Sequence, residues 1–261
     1  MKRTQIALTI AGSDSGGGAG IQADLKTFHR YGVFGTSAIT AVTAQNTLGV
    51  ADWVALPAPF VRRQIDAVVA DLRPAATKSG MLGTVDVVDA VAGAVREHRL
   101  IPFVLDPVMV ATSGDPLVDA AAVDAIRDRL IPLAQLVTPN LDEVAVLLGT
   151  RPRGEDEMAR AAEWIAMELG AHAALVKGGH LDGNEVVDVL FDGTTRVWRH
   201  ARVATTSTHG TGCTLSSAIA ARLALGDSLR DAVDTALAFV HRAIESAPGL
   251  GGGHGPLNHW A

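Results

Sequence analysis

The chain has 261 residues, 48% of them hydrophobic and 19% charged, enough for a large core and far from the composition of a disordered or membrane-spanning chain. Its formal net charge of −6 excludes a general nucleic-acid surface, so a phosphate would be held locally by N–H groups, metal and a few Lys or Arg. A single cysteine excludes an internal disulfide and a multi-cysteine metal site, and the short apolar run after the first basic residues makes neither a signal peptide nor a membrane span. The expectation is one cytoplasmic domain over 1–261 with no membrane or nucleic-acid partner.

Residues 5–10 form a short apolar run that ends in AGSDSGGGAG, after which Ile21, Leu25 and Phe28 mark a helical stripe that stops at Gly32. The loop holds no Gly-Lys dipeptide and no G-x-G-x-x-G, so it matches neither common phosphate fingerprint. A glycine cluster between strand and helix is nonetheless where binding loops concentrate. The run VFGTSAITAVTAQNTLG predicts a second buried strand ending at Gln45 and Asn46. Pro59 opens a helix with Val61, Ile65, Val68, Val69 and Leu72 inward, and AATKSGMLG returns as strand and loop. Thr84 caps a helix that turns Val87, Val88, Val91 and Val95 to the core.

The segment LIPFVLDPVMVATSGDP supplies a strand ending at Asp106 and an irregular loop. Helices over 121–130 and 141–148 flank the strand AQLVTPN, and a polar helix over 155–169 precedes the strand AALVKGGH. Asp192-Gly193 reads as a hairpin turn, which predicts an antiparallel edge. Ser228 and Asp231 resemble a capping box for the last helix, before an irregular tail. This alternation predicts a three-layer α/β/α sandwich around a mainly parallel sheet, with functional residues at the carboxyl ends of its strands.

Gln45, Asp106, Asn140 with Glu143, Lys177 and the turn 210–213 stand at those ends. In TTSTHGTGCTLSSAIAARLAL, Gly210 and Gly212 bare the backbone just before an amphipathic helix carrying Leu215, Ile219 and Leu223. Such a turn seats a phosphate on unpaired N–H groups. Cys213 falls at the helix start, where the dipole is expected to lower its pKa and make a base. Asn140 and Glu143 offer hard oxygen to a hydrated Mg²⁺, a role compatible with capping a helix. Lys177 suits ATP phosphates, and Gln45 can both donate to and accept from a nitrogen heterocycle. His209 reads as a surface histidine. The nine histidines form no HExxH, and no G-x-S-x-G occurs, so hydrolase chemistry is unsupported.

Taken together, AGSDSGGGAGIQADLKT, TAQNTLGV, DPVMVATSGDPL, VTPNLDE, VKGGH and STHGTGCT resemble the hydroxymethylpyrimidine and phosphomethylpyrimidine kinases of thiamine biosynthesis, in the ribokinase-like superfamily. The resemblance runs nearly the whole chain, in order. It implies a pyrimidine pocket with Gln45, Gly18, Ala19, Asp24 and Val108, and ATP contacts from Lys177, Asn140 and Thr208. It also implies Mg²⁺ at Glu143 and Asp106, an anion hole at Gly210, Thr211 and Gly212, and Cys213 as base where most of the superfamily has aspartate. The implied reaction is ATP-dependent phosphorylation of 4-amino-5-hydroxymethyl-2-methylpyrimidine and then of its monophosphate, by a homodimer. One alternative is a pyridoxal kinase; those of similar sequence carry a cysteine in the loop after the Asp-Pro strand end, where this chain has VMVATSG with Val110 and no thiol. Another is a non-catalytic nucleotide or vitamin binder, for which a metal element and a base beside the anion hole would be superfluous.

Overall fold

A computed structural model describes residues 4–109, 118–181 and 183–261. Nine strands among them form one sheet: β1 (Ile6–Ser13), β2 (Phe34–Asn46), β3 (Gly49–Ala55), β4 (Ala76–Ser79), β5 (Phe103–Leu105), β6 (Leu136–Val137), β7 (Ala174–Lys177), β8 (Glu185–Phe191) and β9 (Thr195–Ala201). Their order is β3-β2-β1-β4-β5-β6-β7-β8-β9. The six from β2 to β7 run parallel, and the hairpin partners β3, β8 and β9 run antiparallel at the edges. The central strand β1 is buried on both faces and is therefore almost continuously apolar, IALTIAG.

Among the described residues eight α-helices cover the two faces: α1 (Gly20–Arg30), α2 (Ala58–Leu72), α3 (Val85–His98), α4 (Ala120–Ala125), α5 (Leu141–Leu148), α6 (Glu155–Met167), α7 (Thr211–Ala224) and α8 (Leu229–Glu245). One face packs Val61, Val91, Val144 and Ile165 from α2, α3, α5 and α6 against Leu8, Ile10 and Val176. The other packs Phe28, Ile219 and Val240 from α1, α7 and α8 against Ala7, Val104 and Leu175. The three-layer, ribokinase-like expectation holds.

Two elements differ from the sequence reading. Residues 49–55 form β3, an edge strand whose side chains are largely exposed and so leave little apolar signal. The helix expected over 121–130 is α4 followed by a π turn at Ile126–Leu130 and a 3-10 turn at Ile131–Leu133. Pro132 lacks an N–H and its ring crowds the carbonyl four residues back, so regular helix cannot run through it. The carboxyl ends of β1, β4, β5, β6 and β7 and the amino end of α7 converge on one side of the sheet, where the site lies.

Candidate active site

The α7 start forms as its glycines require. Gly210 has φ +79°, a left-handed conformation, and a Cβ there would come within 1.9 Å of Gly18 O. No side chain is tolerated at that position. The N–H groups of Gly212 and Cys213 find no acceptor among the described residues, which leaves them for an anion at the positive end of the helix. Thr208 holds the turn closed by accepting from Thr211 N at 3.3 Å and Thr211 Oγ1 at 2.7 Å.

Beneath the turn runs a chain of buried charges that the sequence did not disclose. Lys78, on β4, is fully buried and donates to both oxygens of Asp24 at 3.0 Å. Asp24 also accepts from Thr9 at 2.5 Å and from Ser217 of α7 at 2.6 Å. Asp24 therefore belongs to the support under the cavity and does not line it, a correction to its expected place in the pyrimidine pocket. A buried carboxylate in contact with an ammonium has its charge compensated there and not by ligand. Beside this pair, Lys177 donates to Asp106 at 2.9 Å and stands 3.9 Å from Glu143.

These placements set the titrations. Burial works to raise Asp106, but Lys177 and Lys78 outweigh it and hold the carboxyl below its usual range. Glu143, with burial only partly opposed by Lys177 and with Asp106 adding repulsion, rises to about 7. Burial pushes the Cys213 thiol up to about 11, with Asp24 and Asp106 adding to it and the Lys78 charge opposing. Burial and two neighbouring carboxylates thus act against the lowering expected of the helix start. At pH 7 only about one such thiol in 10⁴ is ionised.

Asn140 and Glu143 form a full capping box on α5. The Asn140 side chain accepts from the N–H groups of Asp142 and Glu143, both at 2.9 Å, and Glu143 accepts from Asn140 N at 2.7 Å. The helix-cap role is therefore real. Glu143, Asp106, Asn140 and Lys177 all face the same cavity.

At the other end, Asp14 follows β1 and gathers the glycine loop onto its carboxylate, accepting from the N–H groups of Gly16 (2.8 Å), Gly18 (3.0 Å) and Ala19 (2.8 Å). His209 closes on it, with Nε2 2.9 Å from Asp14 Oδ2. His209 is buried, contrary to the surface placement expected of it. Burial tends to raise Asp14, but the His209 hydrogen bond and the Ala19 and Gly16 N–H groups prevail and hold it below the usual carboxylate range. Gly18 lies behind the loop and not on the cavity wall: a Cβ there would meet His209 Cδ2 at 2.5 Å. Ala19, Gln45 and Val108 do line the wall, with Met81 and Thr43 beside them.

One cavity of about 670 Å³ joins these regions. From the Gln45 end it passes the 210–213 turn and opens into a chamber lined by Val186, Val203, Leu237, Val240 and Ile244, with His200 and His241 stacked 5.5 Å apart. An anion seat between a polar heterocycle-sized end and an apolar chamber suits transfer between two organic molecules. A family model described as phosphomethylpyrimidine kinase matches residues 14–258. The chain belongs to the phosphomethylpyrimidine kinase family. A relative from Rhizobium meliloti (strain 1021), named hydroxymethylpyrimidine/phosphomethylpyrimidine kinase, is 54% identical over 98% of this chain and 97% of its own. The crystal structure of phosphomethylpyrimidine kinase from Clostridium difficile 630 superposes with TM-score 0.82 at 41% identity, covering 92% of this chain and 100% of that one. An ADP complex of Bacillus subtilis pyridoxal kinase superposes with TM-score 0.92 at 38% identity, covering 98% of each chain.

As a member of this family the chain is a phosphotransferase of thiamine biosynthesis. Of the residues expected at a phosphomethylpyrimidine kinase site, the fold brings Gln45, Ala19, Val108, Asp106, Asn140, Glu143, Lys177, Thr208, Gly210, Thr211, Gly212 and Cys213 to one cavity. Gly18 and Asp24 stand behind it. Val110, which bears on the pyridoxal alternative, lies outside the described residues. Sequence reasoning missed Asp14, His209 and Lys78. The signal for the first two was the SDSGGG and THGTG context; Lys78 stands in an unremarkable ATKS strand. No described helix is long and apolar enough to cross a membrane.

Proposed function

We propose that the chain transfers the γ-phosphoryl group of ATP to the hydroxymethyl oxygen of 4-amino-5-hydroxymethyl-2-methylpyrimidine, and then phosphorylates the monophosphate to the diphosphate in the same cavity. The observation that carries this reading is that the anion turn lies between the Gln45 end and the apolar chamber of one continuous cavity. Gln45 reads the heterocycle, with Ala19 and Val108 against it. The N–H groups of Gly212 and Cys213 receive the transferred phosphoryl, and Lys177 neutralises the phosphates together with Asn140 and Thr208 at the wall. In the first step the hydroxymethyl oxygen bonds to the γ-phosphorus as the bond to ADP breaks, and the hydroxyl proton passes to Cys213 Sγ. A protonated thiol cannot take this proton, so with the thiol near 11 the acceptor is the minor thiolate form, whose own proton has first gone to solvent.

The donor set also bears on Mg²⁺. No group of three or more His, Cys, Asp or Glu among the described residues is disposed to hold a metal, and the Asn140 side chain is used by the cap. Of the carboxylates on the cavity wall, Asp106 and Glu143 stand together beside Lys177, and two carboxylates suit Mg²⁺, which keeps several waters and takes its other ligands from substrate phosphates. These two would hold it through water. The chemistry supplied there would be charge neutralisation of the phosphates.

The test is ADP release with the pyrimidine as acceptor. We expect turnover that requires both the pyrimidine and Mg²⁺; binding of both compounds without turnover at any Mg²⁺ concentration would contradict the proposal and favour a binding protein. The close fit to pyridoxal kinase favours pyridoxal as a second acceptor, and the same assay should return the lower kcat/KM for it. We further propose a cytoplasmic location and a homodimer, the latter supported by exposed Val42 and Val54 on the β2–β3 hairpin. Light scattering should then give twice the chain mass of 27.1 kDa, and the single-chain mass would contradict it.

A further inference from the structure

The hydrogen bonds around Gln45 do not close as its amide stands. Asp14 already collects three N–H donors and is ionised, so it can only accept. The His209 Nε2 that lies 2.9 Å away must then carry a hydrogen and point it at Asp14. Yet Gln45 Nε2 lies 3.4 Å from the same ring nitrogen, a donor facing a donor. On the far side of the amide, the Thr43 hydroxyl is 2.9 Å from Ser13 O and 3.2 Å from Gln45 Oε1. One hydroxyl hydrogen cannot serve two acceptors, and the shorter contact claims it.

A half-turn of the amide removes both conflicts. The carbonyl oxygen then lies beside the His209 N–H as a longer second acceptor, the hydrogen itself being held by Asp14, and the NH₂ donates to the free lone pair of Thr43 Oγ1. Neither partner can adapt in its place. The His209 ring is pressed by Gly18, its backbone N–H donates to Gly255 O at 3.1 Å, and Thr43 is committed to Ser13.

We propose that the Asp14–His209 pair, with Thr43 opposite, positions the Gln45 amide in this one sense and thereby decides which way round the acceptor heterocycle binds; the inference rests on Gln45 being the acceptor reader. So fixed, the amide presents its carbonyl on the His209 side and an N–H on the Thr43 side. The 4-amine of the pyrimidine, a donor, pairs on the first, and the neighbouring ring nitrogen, an acceptor, pairs on the second. The hydroxymethyl arm is next to the amine on the ring, so it falls on the side of His209, which runs directly into the 210–213 turn. The reverse amide would accept a ring with an oxo group and N–H at those positions, and it could take the 4-amino ring only turned over, with the arm directed away from Cys213. His209 is thus a positioning residue for acceptor choice.

The experiment compares kcat/KM for the pyrimidine and for its analogue with an oxo group in place of the 4-amine, in wild type, His209→Ala, Thr43→Val and Gln45→Ala. The wild-type protein should prefer the amine by about 10²-fold or more, because the analogue leaves donors facing donors. In His209→Ala and in Thr43→Val the preference should fall to about tenfold or less while the KM for ATP is unchanged, a pattern that loss of packing alone does not produce. Wild-type preference in folded His209→Ala would overturn the inference. Should His209→Ala fail to fold, Thr43→Val decides by itself, and an undiminished preference there is equally contrary. If Gln45→Ala keeps the preference, Gln45 is not the reader and the inference falls with that reading. If Gln45→Ala abolishes it while the other two variants retain it, only the orienting role is lost.

Discussion

The two ends of the cavity are built on different physics. At the phosphate end, Asp24, Lys78, Asp106, Lys177 and Glu143 form a buried sequence of alternating charges, and what matters is that each is compensated. At the acceptor end the Asp14 carboxylate, hydrogen-bonded to the His209 ring, steadies neutral groups, and what matters is the direction of hydrogen bonds. Charge acts over distance and tolerates small displacements, whereas an amide read in the wrong sense fails outright. The phosphate end can therefore serve two successive phosphorylations while the acceptor end chooses the ring.

The contrast is broken most severely by removing one charge from the relay. Lys78→Met leaves Asp24 buried without its ammonium and should cost about 3–5 kcal/mol in urea unfolding. Adding Asp24→Asn should return most of that loss, since a neutral pair no longer needs compensation. A single variant as stable as wild type would mean that Thr9 and Ser217 suffice for Asp24 and that the relay is not held by charge.

Glu143→Gln gives a smaller effect that separates function from stability. Turnover should fall about 10²-fold, with partial rescue by raised Mg²⁺, as the charge beside the hydrated ion is lost. Stability should move the other way. The folded-state value of Glu143, about 7, lies above the ordinary 4.5, so the wild-type protein has its full stability below the lower value and loses it as pH rises through the upper. The variant has nothing to titrate there, and its melting temperature relative to wild type should climb between pH 5 and pH 8. A flat difference across that range, or an unchanged Mg²⁺ dependence of turnover, would remove Glu143 from this account.

The same contrast explains what could be read from the chain. The parallel strands, the helices and the 210–213 turn were legible because apolar runs, helical spacing and glycines before a helix are local signals, and so was the Asn140–Glu143 cap. Gln45 and Lys177 were legible from their places at strand ends, and the family resemblance added Gly18, Ala19, Asp24, Val108 and Thr208. Lys78 was not legible, since its burial depends on Asp24, 54 residues away, and neither was His209, whose partner Asp14 is 195 residues away. Asp24 was misplaced for the same reason: a carboxylate in a family motif says nothing of which neighbour neutralises it. The Cys213 thiol was misjudged because the helix start is local, whereas the desolvation and the carboxylates of Asp24 and Asp106 arrive with the fold.

Both ends of the cavity meet at Cys213, and the central claim is that its sulfur takes the hydroxyl proton as phosphoryl transfer proceeds. The direct measurement is kcat for pyrimidine phosphorylation by purified, folded Cys213→Ala, with ATP affinity recorded alongside. The account predicts a loss within about 10²–10⁴-fold, toward the lower end because the thiolate is the minor form, with ATP affinity retained through the backbone donors of the turn. A kcat near that of wild type would contradict it and leave the thiol only a packed neighbour of the anion seat.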